Sequence, residues 1–334
     1  MRRFLFLMAA ALSATLVYAQ DAENVGNSAQ LSIIPRIDVN PYIGFDSQTD
    51  FSLSNSSLYT LFEGDLGDHF SYSIANHWLS TEPGALYEST FHADATTWCD
   101  WANLTFYAGD FGFTFGKNFM YIGTYEEDAY DYESHWDLNS TFWNNFQVYQ
   151  WGGDISWYYD DDAQLSLQLT SSPYSIKPFN DGLFTLNAYN TNVYGDFSYL
   201  ASFNLVGYEK DSFLKMANFS FEYAAGDFIL RPELMYRWNE DFDQTESNIC
   251  ASLEYAPSDK INLLLKAGFE NVNGMPMDLM YSEPDNFFGG AALHYYPLKD
   301  SDALRCHCVV SYSPVWNGLS INLGALYNIS LNIK

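Results

Sequence analysis

Apolar and polar residues alternate with a period of two along most of the chain. The clearest run is segment 319–333, where apolar side chains occupy every second position and most residues between them are polar. The same alternation recurs over 163–172, 212–224 and 260–270. Successive side chains of a β-strand point to opposite faces of a sheet, so this pattern predicts strands with one apolar and one polar face. The chain is therefore predicted to be all-β.

Sixteen segments with this pattern are predicted to be strands, with fourteen or twelve as alternatives. They are 36–45, 56–63, 69–78, 98–108, 111–119, 146–159, 163–172, 182–190, 195–208, 212–224, 227–238, 246–256, 260–270, 286–297, 303–313 and 319–333. Many run to ten residues or more, whereas strands of soluble proteins are typically about five or six residues long. Strands that cross a membrane need roughly 9–11 residues. Strand length therefore favours a transmembrane antiparallel β-barrel over a soluble sandwich.

Connections between the predicted strands alternate between short and long. Those after even-numbered strands are mostly tight and rich in Gly and Asp, as at 109–110 and 225–226, whereas 79–97, 120–145 and 271–285 are long. In outer-membrane barrels short turns face the periplasm and long loops face the outside. The sequence therefore predicts long external loops, short periplasmic turns, and both ends of the barrel on the periplasmic side.

The N-terminus is typical of a secretory signal peptide. Two arginines precede an apolar run over 4–17, and small residues place the expected cleavage near Ala19. The chain is predicted to divide into a signal peptide (1–19), a short periplasmic lead-in (20–30) and the barrel (31–334). No later segment has the roughly 18 consecutive apolar residues of a membrane-spanning helix. Strands are thus expected to meet the lipid and lipopolysaccharide of a Gram-negative outer membrane.

Composition and motifs exclude several kinds of function. The chain has 14 Lys and Arg against 42 Asp and Glu, a formal net charge of −28. Nucleic-acid binding needs basic side chains that neutralise phosphates, so a nucleic-acid partner is excluded. No catalytic motif is present, and Cys306-His307-Cys308 has no second ligand pair, so neither an enzyme, a cofactor nor a metal site is expected. Export permits disulfides between these cysteines and Cys99 or Cys250, and the sequence leaves their state open.

The longest external connection, 120–145, is acidic and contains no Lys or Arg. A barrel of sixteen strands encloses an aqueous channel, and a long loop folded into it would set selectivity by charge. A pore constriction is therefore predicted here, with an acidic surface loop as the alternative. The predicted constriction residues are Glu126, Glu127, Asp128, Asp131, Glu133 and Asp137.

Basic side chains are predicted on the lumen-facing side of several strands. In 227–238, for example, apolar positions alternate with Arg231, Glu233 and Arg237. Opposite an acidic loop, such residues would create a field across the pore; salt bridges with inward carboxylates such as Glu254 are the alternative. The predicted pore-lining basic residues are Arg36, Arg231, Arg237, Lys266 and Arg305.

Three segments carry a resemblance to a known family: Phe111–Phe119, Tyr149–Asp154 and Leu165–Pro173. With the acidic loop between the first two, they resemble the porin superfamily that includes the phosphate-selective porins O and P. The resemblance implies a sixteen-stranded, usually trimeric channel whose third loop folds into the lumen. Phosphate-selective members line their pores with basic residues, whereas Lys117 is the one basic residue in the matching segments of this chain. A weak cation preference or little selectivity is therefore expected.

These observations predict an outer-membrane porin that allows passive diffusion of small hydrophilic solutes or ions, with a homotrimer as the assembly that the resemblance implies. The alternative is a secreted or surface all-β protein, glycan-binding or an adhesin, without an open pore. That alternative rests on the abundant Tyr and Trp, whose rings stack on sugars.

Overall fold

The protein is a closed β-barrel. The computed structural model describes residues 26–45, 49–53, 56–80, 99–128, 135, 138–175, 177–239, 245–271, 285–299, 301–313 and 317–333. Within these residues, eighteen strand segments form one sheet that closes on itself. The predicted signal peptide, 1–19, lies outside the described residues.

Neighbouring strands pair antiparallel around the whole barrel. The segments are β1 Gln30–Gly44, β2 Thr49–Ser52, β3 Ser57–Leu66, β4 Phe70–Ser80, β5 Cys99–Ala108, β6 Phe111–Phe119, β7 Tyr149–Asp160, β8 Ala163–Ser171, β9 Phe184–Tyr194, β10 Phe197–Glu209, β11 Ser212–Ala225, β12 Phe228–Trp238, β13 Thr245–Ser258, β14 Ile261–Asn271, β15 Asp285–Tyr295, β16 Leu304–Ser313, β17 Gly318–Tyr327 and β18 Ile329–Asn332.

Eighteen segments make sixteen barrel strands. The first half of β1 pairs with β3 and the second half with β2, so β2 and β3 form one strand interrupted over 53–56. On the other side of β1, β17 and β18 likewise form one strand interrupted at Asn328. The predicted sixteen-stranded antiparallel barrel is therefore confirmed. The first strand begins at Gln30, six residues before the predicted 36, because Gln30 to Ile33 extend the pairing with both neighbours.

Tight turns join the strands at the end of the barrel where β1 begins. Four of them place a glycine in the left-handed region, at φ between 59° and 65°, which residues with a Cβ rarely adopt. These glycines are Gly67, Gly109, Gly195 and Gly226. The opposite end carries the longer connections, including residues 120–148 between β6 and β7. Tight turns that contain glycine thus distinguish this end of the barrel from the end with long connections.

The outer face of the barrel is apolar and the inner face is polar. Along β8, Leu165, Leu167 and Leu169 are 43–65% exposed, whereas the intervening Ser166 and Gln168 are buried. The same inversion recurs on the other strands, which leaves dozens of large apolar side chains on the outside. Soluble monomers rarely expose apolar patches of that extent, so the outer face is suited to lipid. No helix in the described ranges is long and apolar enough to cross a membrane.

A charge placed on the middle of the outer face is expected to be costly. Leu167→Arg should lower the free energy of unfolding in lipid bilayers by about 2–4 kcal/mol, as for a midplane Arg, and Leu66→Arg by about 0–1 kcal/mol near the turns. The measurement is urea unfolding of both variants in phospholipid vesicles. Equal costs at the two positions would contradict a lipid-facing band.

Candidate functional site

Residues 120–148 are here called the third loop, and its described residues, 120–128, 135 and 138–148, turn into the barrel and pack against its inner wall. The loop contains two short helices, α1 Tyr125–Asp128 and α2 Thr141–Asn145. Ser140 caps α2 by accepting a hydrogen bond from Trp143 N. Apolar loop side chains form a buried cluster with inward-facing residues of β10, β11 and β12. The cluster comprises Met120, Ile122, Phe142, Trp143 and Phe146 of the loop and Val206, Leu214, Met216 and Met235 of the wall.

The first residues of the loop cross the inward-facing sides of β10 and β11. Asn204 on β10 donates to the Tyr121 carbonyl at 2.8 Å, Ser202 donates to the Ile122 carbonyl, and Ser220 on β11 donates to the Gly123 carbonyl at 3.3 Å. A Cβ at Gly123 would lie 3.2 Å from β10 backbone, so glycine permits this close approach. Polar wall residues therefore satisfy the loop backbone.

Glu126 is the most connected polar group of the loop. Its carboxylate is 1% exposed and pairs with Lys266 on β14 at 2.5 Å. It also accepts hydrogen bonds from Ser140 N, Ser140 Oγ and Asn248 on β13. The Glu126 backbone N–H donates to Glu233 on β12 at 3.0 Å. These partners offset the free-energy cost of removing the charge from water. Through them Glu126 joins the loop to β12, β13 and β14.

Two wall arginines also contact loop side chains. The Arg231 guanidinium lies 5.9 Å from the centre of the Tyr125 ring, and the Arg237 guanidinium lies 4.6 Å from that of Phe142. Both are paired within the wall, Arg231 with Glu254 and Arg237 with its neighbour on β13. A cation over an aromatic face is attractive when water is excluded. These contacts therefore help to hold α1 and α2 in place.

The second half of the loop is anchored on β14 and β15. Thr141 donates its hydroxyl to Glu270 at 2.6 Å, and Phe142 N donates to the same carboxylate at 3.3 Å. Leu138 is fully buried against Leu264 and two neighbours on β15 and β16. A Cβ at Gly290 would clash with the Val310 carbonyl oxygen on β16 and also with Leu138 Cδ2, so glycine allows both the neighbouring strand and the loop to approach.

His135 connects the loop to β15. Its Nε2 lies 3.0 Å from Nε2 of His294 on β15, with the two ring planes 7° apart. Both imidazoles are buried. Because Tyr121 N donates to Gln168 on β8 and Leu138 packs on β16, the described part of the loop contacts the inner wall from β8 to β16.

The structure describes only part of the predicted acidic constriction. Glu126 is buried against the wall and does not face open lumen. Glu127 and Asp128 belong to α1, and Asp131, Glu133 and Asp137 lie outside the described residues.

The predicted basic residues lie on β1, β12, β14 and β16. Arg36, Arg231 and Arg237 have fully buried side chains, and Arg36 pairs with Asp38 at 2.5 Å. Lys266 meets Glu126, and Arg305 is half-buried. Of these pairs, Arg231–Glu254 is one that the salt-bridge alternative named, whereas Arg237 pairs with Glu246 instead.

Sequence reasoning missed three contacts that hold the loop. Glu270 and Glu233 occupy inward positions of alternating strands, a signal that could have identified them as loop acceptors. His135 and His294 are 159 positions apart, and alternation gives a residue's face but not its height, so their contact was not predictable. The four cysteines are free thiols. Among the described residues, no group of three His, Cys, Asp or Glu converges on a potential metal position.

Charge is distributed unevenly around the inner wall. From β11 through β16 to β1, inward positions carry the arginines, Lys266 and their partner carboxylates. In the middle of β7 to β10, inward positions carry hydroxyl, amide and tyrosine side chains, and Asp154 is their one charged residue. Hydrogen bonds link this neutral wall, as between Ser156 and Ser166 at 2.7 Å and between Asn204 and Asn187 at 2.7 Å. The start of the loop lies against this neutral wall, where Tyr121 N donates to Gln168 at 3.1 Å and the Tyr121 ring stacks on Tyr189. The rest of the described loop lies over the charged side.

The chain is similar in structure to outer-membrane channels. No protein-family model and no curated protein sequence matches it. An anion-selective porin from Comamonas acidovorans superposes with a TM-score of 0.63 at 8% identity, covering 91% of this chain and all of that one. The outer membrane channel DcaP of Acinetobacter baumannii gives 0.62 at 13% identity, over 93% and 100%. A trimer form of the outer membrane protein OmpT of Vibrio cholerae gives 0.57 at 12%, over 91% and 100%. At these identities the similarity establishes a porin-like barrel fold.

Removing the Glu126 carboxylate is expected to detach the loop. Glu126→Gln takes away the partner of a buried ammonium, which typically costs about 3–5 kcal/mol. The measurement is the free energy of unfolding in bilayers together with hydrogen exchange of the loop. A double variant, Glu126→Gln with Lys266→Met, should recover most of the loss, and Glu209→Gln in an exposed turn should change nothing. If Glu126→Gln behaves like Glu209→Gln, the pair does not anchor the loop.

Proposed function

We propose that the protein is an outer-membrane diffusion channel of the porin type, which admits small hydrophilic solutes through a lumen narrowed by the third loop. The observation that carries the proposal is a loop docked inside a closed, lipid-facing barrel by Glu126–Lys266 and Thr141–Glu270. A surface loop would not need carboxylates buried between it and the wall, as Glu126 and Glu270 are. A loop held at the wall narrows a wide lumen while leaving a path beside it.

The charge distribution supports uncharged or weakly selected solutes. Described charges on the inner wall are mostly paired and buried, so they attract mobile ions weakly. The inward positions of β7 to β10 carry hydroxyl and amide groups and the ring of Tyr158, whereas the Tyr189 ring is stacked against Tyr121 of the loop. Such groups hydrogen-bond and stack with polyhydroxylated solutes without requiring a charge. We propose that solutes pass along this side, with at most a weak cation preference.

Location and assembly follow from the same proposal. The apolar outer face fits the bilayer of a Gram-negative outer membrane, whose lipid and lipopolysaccharide would be the surrounding partners. Export would use the predicted signal peptide, cleaved near Ala19. Similarity to the trimer form of OmpT supports a homotrimer. The acidic residues that follow Glu126 are proposed to face the path as the constriction.

Transport assays of the purified barrel test the proposal. In proteoliposomes, neutral sugars should enter faster than dianions of equal size, and under a KCl gradient the reversal potential should be close to zero or weakly cation-selective. Asp154→Asn should move it slightly toward anions, because Asp154 is the one charge in the middle of the neutral wall but is buried, and sugar entry should be unchanged. Glu209→Gln, in an exposed turn, is the matched control.

Two results would count against this function. Inserted barrels that neither conduct nor admit sugars would favour a plugged barrel, such as an adhesin. Strong anion preference in the native protein would place the path along the arginines instead.

A further inference from the structure

Four aromatic side chains form a row on the inner wall, at the end of the barrel that carries the longer connections. The ring centroids of His77 on β4 and Tyr59 on β3 are 4.5 Å apart, and Tyr59 lies 6.2 Å from Trp101 on β5. Trp101 in turn lies 5.8 Å from Tyr149 at the start of β7. All four side chains are half-buried, so each keeps surface that a solute can reach. These four residues are here called the aromatic row.

Alternation along β4 places the aromatic row inside the barrel. Ile74 is exposed on the outer face, so Ser73 and His77 belong to the inner face. Trp101 Nε1 donates to Ser73 Oγ at 2.7 Å. Tyr59 is the register partner of His77. The rings therefore face the lumen and not the lipid.

The aromatic row leads toward the third loop. Tyr149 meets the Phe119 ring edge-on, with centroids 5.3 Å apart, and Phe119 stacks on Trp143 of α2 at 6.4 Å. Trp143 belongs to the buried cluster between the loop and the wall. Tyr149 is also the first residue of β7, the strand at which the neutral wall begins. A solute on the aromatic row thus lies between the mouth of the barrel and the part of the lumen that the loop narrows.

Polar groups flank the aromatic row. His77 Nδ1 pairs with Asp100 on β5 at 2.5 Å, and the two side chains are 25% and 9% exposed. Asn103 on β5 donates to Asn118 on β6 at 3.1 Å, and both side chains are half-buried. A carboxylate accepts hydrogen bonds from hydroxyl groups, and an amide both donates and accepts them. The inner wall therefore combines aromatic ring faces with hydrogen-bonding groups at this position.

We propose that the aromatic row is an entry site for neutral pyranose sugars, which stack on Tyr59, Trp101 and Tyr149 and hydrogen-bond to the flanking polar groups. One face of a pyranose presents C–H groups, whose slightly positive hydrogens are attracted to the negative face of an aromatic ring. The hydroxyls at the edge of the sugar then meet a small number of placed polar groups, as in other small-molecule sites. This inference rests on the proposed function and names a class of solute for it.

The surroundings favour a sugar over an apolar or a cationic solute. An apolar solute would remove water from the amide and carboxylate groups without replacing its hydrogen bonds, which costs free energy. A cation is attracted to ring faces, but the Asp100 carboxylate beside the row is already paired with His77. In addition, the Lys117 ammonium donates to the carbonyl of Cys99, the residue before Asp100. A neutral solute with hydroxyl groups avoids both costs.

Calorimetric titration of the detergent-solubilised native barrel with maltotriose tests the site without requiring conduction. Trp101→Phe and Trp101→Leu both remove the hydrogen bond to Ser73, but only phenylalanine keeps a ring face. Trp101→Phe should bind maltotriose nearly as well as the native protein, and Trp101→Leu about tenfold more weakly. Tyr59→Leu, a second variant, should also weaken binding. Trp157→Leu, on the outer face, is the matched control and should bind like the native protein.

Two further probes define the chemistry of the site. Sorbitol has the hydroxyl groups of a sugar but no ring, so it should not compete with maltotriose. Choline is a cation that ring faces attract, and it should bind more weakly than maltotriose. Competition by sorbitol at equal concentration, or tighter binding of choline, would contradict a site for pyranose rings.

The remaining outcomes separate this site from the proposed channel. Equal affinities of Trp101→Leu and Trp101→Phe, or no maltotriose binding by a native barrel with heat-modifiable gel mobility, overturn the sugar site. If sugars still enter proteoliposomes in that case, the channel stands without it. If maltotriose binds as expected to a barrel that neither conducts nor admits sugars, the aromatic row stands as a sugar site and the proposed channel function fails.

Discussion

The rest of the structure depends on the need to pair every backbone N–H and C=O group in a medium without water. Lipid offers no hydrogen-bond partners, so a sheet that crosses it must close on itself. Closure with sixteen barrel strands creates a lumen too wide for its own side chains to fill. The third loop folds inward and fills part of this lumen. Apolar contacts between Phe142, Trp143 and the wall at Met216 and Met235 then form a core inside a barrel whose outside is also apolar.

Charge pairing determines where the loop lies. Three wall cations each meet a loop side chain: Lys266 meets Glu126, Arg231 meets Tyr125, and Arg237 meets Phe142. Buried ion pairs add little net stability, but a partner removed from one is costly. Such pairs therefore determine the position in which the loop docks, and they add little to the free energy of docking. They also pair charges that would otherwise face the lumen.

Much of the fold was predictable because a strand's period of two is visible in the sequence. Alternation located all sixteen barrel strands, and Gly-Asp pairs marked the turns, as at Gly109 and Gly226. Glu126 and Lys266 were each predicted at the lumen, but as opposing groups across a pore. Their direct contact depends on the height of each residue along the barrel and on the path of the loop. Neither quantity is encoded in local periodicity, and the same reason explains why the His135–His294 contact was missed.

The conductance of the native barrel beside a variant in which a short Gly-Ser linker replaces residues 120–148 tests the central claim most directly. Both proteins would be refolded, inserted into planar bilayers and recorded in the same salt. If the loop lies inside the lumen and narrows a conducting channel, the native protein should give small steps and the shortened variant steps severalfold larger. Equal steps from the two proteins, or no steps from a fully inserted native barrel, would contradict the account.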